Sequence, residues 1–253
     1  MSQKIKSAFL LAAGFGTRMG THTDDTPKPL LKIDGIPLIA CSLYMLKRLG
    51  VETAVVNTHY KASQMETFIK NVAPKIPFEI FISHEPEILG TAGGIKKALA
   101  EKKLQGDKNF YLLNTDVILQ PPSNSEIAAQ NEIPENCLSY LFLKEKDSQN
   151  KETGWDKNSK NQIFINRQNG KYYYIGFSIL NPLLLASVEP GQPANLGDLW
   201  SEASPRDRLA GDLYKRQIFS CGNKEEYEGA KNILPEFLKN DPRFVEFCEL
   251  IFS

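Results

Sequence analysis

A surplus of charge of either sign is what this sequence lacks most plainly: thirty lysines and arginines cancel thirty aspartates and glutamates over 253 residues. No global field is available to recruit nucleic acid or an anionic membrane, so any anion site has to be local. Cysteines are few, and Cys41, Cys137, Cys221 and Cys248 are scattered without C-x-x-C spacing. That argues against a disulfide framework or a zinc site and for reduced, mostly buried thiols in a cytoplasmic protein. No apolar run approaches the length that spans a bilayer, and the leading MSQKIKS opens into a strand too short for a secretory signal. Neither a linker nor a hexapeptide repeat is evident. A hydrophobic content of 42% suits one α/β domain, or one domain with a small lobe.

What is present is concentrated between Phe9 and Leu31. The apolar run Ala8 to Ala13 reads as a buried strand and breaks into the turn Gly14-Phe15-Gly16-Thr17, followed by Arg18 and then by Lys28 inside Pro27-Lys28-Pro29. Glycines let main-chain N–H groups close on an anion, and a loop lifted off a buried strand presents them as a concave nest. Two cations beside such a nest predict a polyphosphate ligand; the plainer alternative is an ordinary strand-to-helix turn with surface cations. A dinucleotide fingerprint is excluded because Met19 stands at the third glycine position and the likely second strand, Thr53 to Thr58, ends without an acid. A P-loop is excluded because no Gly-Lys-Ser or Gly-Lys-Thr occurs.

Farther along, the spacing predicts a helix from Pro37 to Leu49 ended by Gly50, a strand at Thr53 to Asn57, a helix over 62–72 and a strand over 78–83. This alternation predicts a mostly parallel sheet with crossover helices and a site at the carboxyl ends of its strands. The run Gly90-Thr91-Ala92-Gly93-Gly94 opens a helix and offers N–H groups to an anion or a base edge, or else serves close packing with a cap at Thr91. The strand Phe110 to Leu113 delivers Asn114-Thr115-Asp116, where Asp116 either binds magnesium alongside phosphate oxygens or caps the next turn. Lys144 to Asn161 reads as a charged, solvated loop in which Trp155 is a sugar platform or, more simply, partly buried. Strands are expected at Cys137 to Leu143 and at Tyr172 to Leu180. Helices at 225–231 and 234–252 carry the stripe Phe237, Phe244, Phe247 and Ile251, a core face or a dimer seam.

Leu11-Ala12-Ala13-Gly14-x-Gly16-Thr17-Arg18-Met19, Pro27-Lys28-Pro29-Leu30 and Gly35-x-Pro37-Leu38-Ile39 together resemble the signature of the sugar-1-phosphate nucleotidyltransferases that make nucleotide sugars. The resemblance spans most of the chain and is strong in its first half. It implies the nucleotide-diphospho-sugar transferase fold, a Rossmann-like, mixed, mostly parallel sheet with helices on both faces. It implies a single domain, with residues 1–120 as the nucleotide-binding half and 121–253 as the sugar-binding half with C-terminal helices. The implied reaction moves NMP from an NTP, UTP before GTP, to a sugar 1-phosphate and releases pyrophosphate. Leu11, Ala12, Ala13, Gly14, Phe15, Gly16, Thr17 and Arg18, with Thr91 and Gly93, would bind the nucleotide. Arg18 and Lys28 would be catalytic, Gly94, Asn114 and Gly176 would meet the sugar, and Asp116 would hold Mg2+. The partners are then an NTP and a sugar 1-phosphate, with no nucleic acid or membrane, and the protein is a monomer or homodimer.

Two departures from the family pattern matter. Thr115 replaces a small residue and adds a side chain near the expected nucleotide path. Where the family carries Trp-x-Asp-x-Gly-Thr, this chain has Ile218-Phe219-Ser220-Cys221-Gly222-Asn223, so Ser220 stands at the second metal aspartate. Either Asp116 works with phosphates and water, or another acid such as Asp212 substitutes, or catalysis is lost and the protein is a nucleotide or nucleotide-sugar sensor. A cytidylyltransferase acting on an alcohol phosphate is a further alternative. A relative of molybdopterin-guanine dinucleotide synthase fits less well, given Pro27-Lys28-Pro29-Leu30 and the chain length.

Overall fold

The computed structural model describes residues 4–106, 108–123, 133–147 and 150–253; parts of the MSQKIKS leader and of the 144–161 loop lie outside the described residues. In chain order the first strands are β1 (Ser7–Leu11), β2 (Lys32–Ile33), β3 (Ile36–Pro37), β4 (Thr53–Thr58), β5 (Glu79–His84), β6 (Phe110–Asn114) and β7 (Val117–Leu119). Then follow β8 (Ser139–Glu145), β9 (Trp155–Lys157), β10 (Ile163–Ile165), β11 (Tyr172–Leu180), β12 (Leu209–Leu213) and β13 (Ile218–Ser220). The helices are α1 (Leu38–Leu49), α2 (Ala62–Val72), α3 (Gly90–Ala100), α4 (Leu196–Ala203), α5 (Lys224–Lys239) and α6 (Pro242–Phe252). The chain divides into two compact units, Ala8–Ile88 with Asn114–Pro122 and Arg216–Ser253, and Met1–Ser7 with Leu89–Leu113 and Ser123–Lys215.

In the unit that begins at Ala8, the strands run in the order β1-β4-β5, with β4 and β5 parallel from Thr53 opposite Glu79 to Thr58 opposite His84. Five of the six β4 residues are buried, the apolar Ala54 to Val56 together with Asn57 and Thr58, whereas β5 is only partly covered. α1 starts after the extended Pro37 and stops at Gly50, whose φ of 70° is the left-handed value that closes a helix. Lys47 and Arg48 in its last turn oppose the negative end of the helix dipole.

The C-terminal helices differ from expectation. α5 continues through Pro235, with Leu234 and Leu238 buried on either side of it, and the break falls instead between Lys239 and Pro242. Asp241 causes it by accepting from the amides of Arg243 and Phe244 while Pro242, lacking an N–H, fills the first helical position. The Asp241 carboxylate also accepts the Tyr44 hydroxyl of α1 at 2.8 Å. Phe244 and Phe247 sit 5.1 and 5.6 Å from the Tyr44 ring, so this part of the apolar stripe is core. Phe237 is half-buried against Phe219 of β13.

In the other unit the order is β10-β9-β11-β6, with β8 added to β11 and β12 paired parallel to β8. β11 runs antiparallel to β6 and β8, and its register against β8 shifts between Tyr174 and Ser178. Gly176, with a φ of 79°, lies in that shift, so the backbone there demands glycine. Phe142 and Phe177 stack at 4.3 Å inside the unit. The expected 144–161 loop is shorter than its composition suggests: β8 runs on to Glu145, and Trp155 opens β9, which pairs with β10. Trp155 is 3% exposed and edge-on to Trp200, which makes it a buried core residue. Among the described residues no helix is long and apolar enough to cross a membrane.

Because Phe247 is fully buried, Phe247→Ala should cost about 3–5 kcal/mol of stability in chemical denaturation. A loss under about 1 kcal/mol would mean that α6 does not belong to the cooperative core.

Candidate active site

The loop after β1 is held from below and left open above. Ala12 and Ala13 are buried, while Gly14, Phe15, Thr17 and Arg18 are exposed. The Ala12 amide donates to Asn57 Oδ1 at 2.7 Å, and the Asn57 side-chain amide donates to Glu85 Oε1 at 2.7 Å. Asn57 and Glu85 are 2% and 0% exposed, so this relay satisfies buried polar groups and fixes the strand end where the loop departs. Gly16 has a φ of 69°, and a Cβ there would approach Thr23 Cγ2 to 2.8 Å and Lys28 Cβ to 3.3 Å. Met19, fully buried, follows the turn and donates its amide to the Gly16 carbonyl at 2.8 Å. Phe15 lies edge-on to His59 at 5.1 Å, and the Tyr60 hydroxyl donates to the Thr23 carbonyl at 2.8 Å, which braces the loop from the β4 side. Arg18 makes no hydrogen bond or ion pair among the described residues.

Lys28 is held very differently. Pro27 is extended and caps a short 3-10 turn, Lys28–Leu30, whose second residue is Pro29, so the backbone around the lysine is preset by two rings. Its side chain runs inward, 9% exposed as a residue, and its ammonium donates to Asp116 Oδ2 at 2.7 Å and to the Gly222 carbonyl at 2.8 Å. The pair is largely shielded from water, where charge–charge attraction is stronger than at the surface and loss of either partner strands the other.

Asp116 comes from the turn between Asn114 and β7. Thr115 is 4% exposed and donates its hydroxyl to the Leu11 carbonyl at 2.8 Å. Its side chain therefore ties this turn to the end of β1. β13 pairs with β7, Ser220 opposite Val117, and the Cys221 amide donates to the Asp116 carbonyl at 2.8 Å. This pairing brings Cys221 to Asp116, and Asn223 caps α5 by accepting from the Glu226 amide at 3.0 Å. Burial pushes the Cys221 thiol up to about 12, with Asp116 adding to the rise, Lys28 opposing it and Glu226 adding again. The thiol is therefore neutral and no nucleophile.

Other expected site residues lie in the second unit. Thr91, Gly93 and Gly94 are in the first turn of α3, but the Ala92 and Gly93 amides both donate to the Ala194 carbonyl, at 2.9 and 3.1 Å. The expectation that this run offers free N–H groups is corrected at those two positions. The glycines serve close packing: a Cβ on Gly90 would meet the Ala194 oxygen at 2.7 Å, and one on Gly93 would meet the Gln192 oxygen at 2.5 Å. Thr91 does not cap α3 either; its hydroxyl accepts from the Leu196 amide at 2.8 Å. Asp212, the acid expected as a possible substitute for the missing aspartate, is in this unit and is paired with Lys157 at 2.7 Å. Sequence reading overlooked Glu226, although Asn223-x-x-Glu226 is a helix-start pattern; its carboxylate accepts from Ser220 Oγ at 2.5 Å and from the Gly222 amide at 2.8 Å.

Gly16→Ala should force the loop out of its left-handed turn and into Thr23, weakening NTP binding about tenfold or more by titration calorimetry, an effect of the size expected for a left-handed residue given a Cβ. Unchanged affinity would remove the loop from the site.

Residues 8–137 match the MobA-like NTP transferase domain. Among curated proteins, N-acetylmuramate alpha-1-phosphate uridylyltransferase of Neisseria meningitidis serogroup B is 31% identical over 212 residues, covering 82% of this chain and 89% of that protein. Mannose-1-phosphate guanylyltransferase catalytic subunit beta of Drosophila pseudoobscura is 39% identical over 116 residues, covering 46% of this chain and 31% of that protein. Among solved structures, UDP-glucose pyrophosphorylase complexed with UDP-glucose superposes with a TM-score of 0.74 at 19% identity, covering 92% of this chain and 99% of the other. This likeness establishes the nucleotide-diphospho-sugar transferase fold, and the family match, whose range takes in the glycine loop, Lys28 and Asp116, together with the Neisseria relative establishes the lineage: the chain belongs to the sugar-1-phosphate nucleotidyltransferases of the MobA-like NTP transferase domain family.

Proposed function

We propose that this protein transfers a uridylyl group from UTP to a sugar 1-phosphate in the cytoplasm, with N-acetylmuramate 1-phosphate or a similar amino-sugar phosphate as acceptor and a cell-wall precursor as product. The observation that carries the reading is the buried Lys28 ammonium held on Asp116 beside the glycine loop. The Neisseria relative supports the uracil base and the acceptor.

A sugar phosphate is already mostly dianionic near neutral pH, its second pKa being about 6, so the reaction needs no strong base. The demands on the protein are alignment for in-line attack at the α-phosphorus and compensation of charge on its oxygens. The amides of Gly14, Phe15, Gly16 and Thr17 cradle the triphosphate, and Arg18, exposed on the loop's open side, grips the phosphates that leave as pyrophosphate. Lys28 faces the α-phosphate and the incoming phosphate, where negative charge accumulates. Leu11, Ala12 and Ala13 meet the nucleoside through backbone atoms, and the Thr91 hydroxyl and Gly93 amide, already engaged by Leu196 and Ala194, are not assigned to it; Gly94, Asn114 and Gly176 are assigned to the sugar.

The donor set fits magnesium. Asp116 and the Gly222 carbonyl present hard oxygen atoms, and the Lys28 ammonium already rests on both as a stand-in cation. Magnesium commonly takes one or two carboxylates and completes its shell with phosphates and water. Bound there, the ion would supply charge neutralisation on phosphate oxygens.

The test is pyrophosphate release with magnesium, each NTP in turn, and N-acetylmuramate, glucose and mannose 1-phosphates. UTP with the amino sugar should give the fastest release; a preference for GTP and mannose 1-phosphate would shift the assignment to guanylyl transfer. Ser220 favours a second reading, a sensor, which requires silence across the panel together with thermal stabilisation by a nucleotide. Lys28→Ala should lower turnover by about a hundredfold or more while NTP affinity changes little. Equal losses in both would make Lys28 a binding residue alone.

A further inference from the structure

Resting on that reading, we propose that Glu226 supplies the second carboxylate of the cation site, taking over from the first turn of α5 the task that Ser220 cannot perform on β13. A serine at 220 ends at Oγ, about where the carboxyl carbon of an aspartate would lie. Glu226 Oε2 lies 2.5 Å from that Oγ and accepts its proton, so a carboxylate oxygen stands close to the space that an aspartate at 220 would fill. Both residues are solvent-exposed, which leaves the carboxylate open to a hydrated cation.

Gly222 links this carboxylate to Asp116. Its amide donates to Glu226 Oε2 at 2.8 Å, while its carbonyl accepts from the Lys28 ammonium that is paired with Asp116. Glu226 thus holds the amide end of Gly222, and the ammonium paired with Asp116 holds its carbonyl end. A Cβ on Gly222 would stand 3.0 Å from Glu226 Oε2 and 3.4 Å from Ser220 Oγ, so the absence of a side chain there leaves the carboxylate its place.

The competing role for Glu226 is helix capping. Asn223 is the cap residue of α5 and Glu226 its third helical residue, and in a capping box the carboxylate reaches back to the amide of the cap residue itself. Here it bonds one residue earlier, at Gly222, and to the Ser220 hydroxyl. Glu226→Gln keeps an acceptor for both bonds and removes only the charge, which separates the two roles.

The experiment is Mn2+ binding by electron paramagnetic resonance in the presence of a non-reacting α,β-methylene UTP, for the wild type, Asp116→Asn, Glu226→Gln and the double variant Ser220→Asp/Glu226→Gln, with metal-free melting temperatures alongside. A cation held by both acids predicts that Glu226→Gln weakens Mn2+ about tenfold or more without lowering the metal-free melting temperature, and that aspartate at 220 restores binding. Wild-type affinity in Glu226→Gln, or a folded double variant as weak as the single one, overturns the proposal. If the wild type fails to bind Mn2+ with the analogue, the nucleotidyltransferase reading falls and this proposal with it; binding by wild type and Glu226→Gln alike overturns only the role of Glu226.

Discussion

The site depends on one buried ammonium. Lys28 is almost completely shielded, and the Asp116 carboxylate and the Gly222 carbonyl are what make a cation acceptable there. Three segments far apart in sequence converge on that atom: the proline-bracketed turn, the turn before β7 and the entry to α5. Each is separately fixed, by Pro27 and Pro29, by the Thr115 bond to Leu11, and by the pairing of β13 with β7. A lysine preorganised in this way costs no reorganisation when phosphate charge arrives, which is the condition for strong electrostatic stabilisation.

Much of this was legible in the sequence because it rests on backbone constraints. Gly16 needs its positive φ, prolines flank Lys28, and an apolar run leads to Asp116; residues of these types permit few other arrangements. β4, α1 and the end of α1 at Gly50 followed from periodicity and capping chemistry. What was not legible depended on tertiary partners. The Gly90 to Gly94 run looks like an anion nest in one dimension, but the Ala194 carbonyl takes two of its amides, and nothing local announces a strand of backbone approaching from a hundred residues away. Thr115 read only as an added side chain near the nucleotide path; its bond to the Leu11 carbonyl depends on a partner distant in sequence.

The C-terminal region gives a similar lesson. A break was expected between residues 231 and 234, yet the boundary fell at Asp241-Pro242, where a capping carboxylate and a missing amide act together and a tyrosine from α1 binds the same carboxylate. Ser220 looked like a lost ligand when compared with a family pattern position by position. In three dimensions the position is shared with Glu226, six residues on, because a helix start folds the chain back over its own β13 strand. Pattern reading compares positions, whereas a cation responds only to where the oxygens are.

The central claim is that Lys28 and Asp116 serve the transfer of a nucleotidyl group to a sugar phosphate. It is tested most directly by following UTP labelled at its α-phosphorus in a single turnover with magnesium and N-acetylmuramate 1-phosphate. The account predicts that the label appears in a nucleotide sugar at the rate at which pyrophosphate forms, and that it does so without passing through the protein. Label that remains in UTP, that emerges as free UMP independently of the sugar phosphate, or that becomes attached to the chain would contradict it.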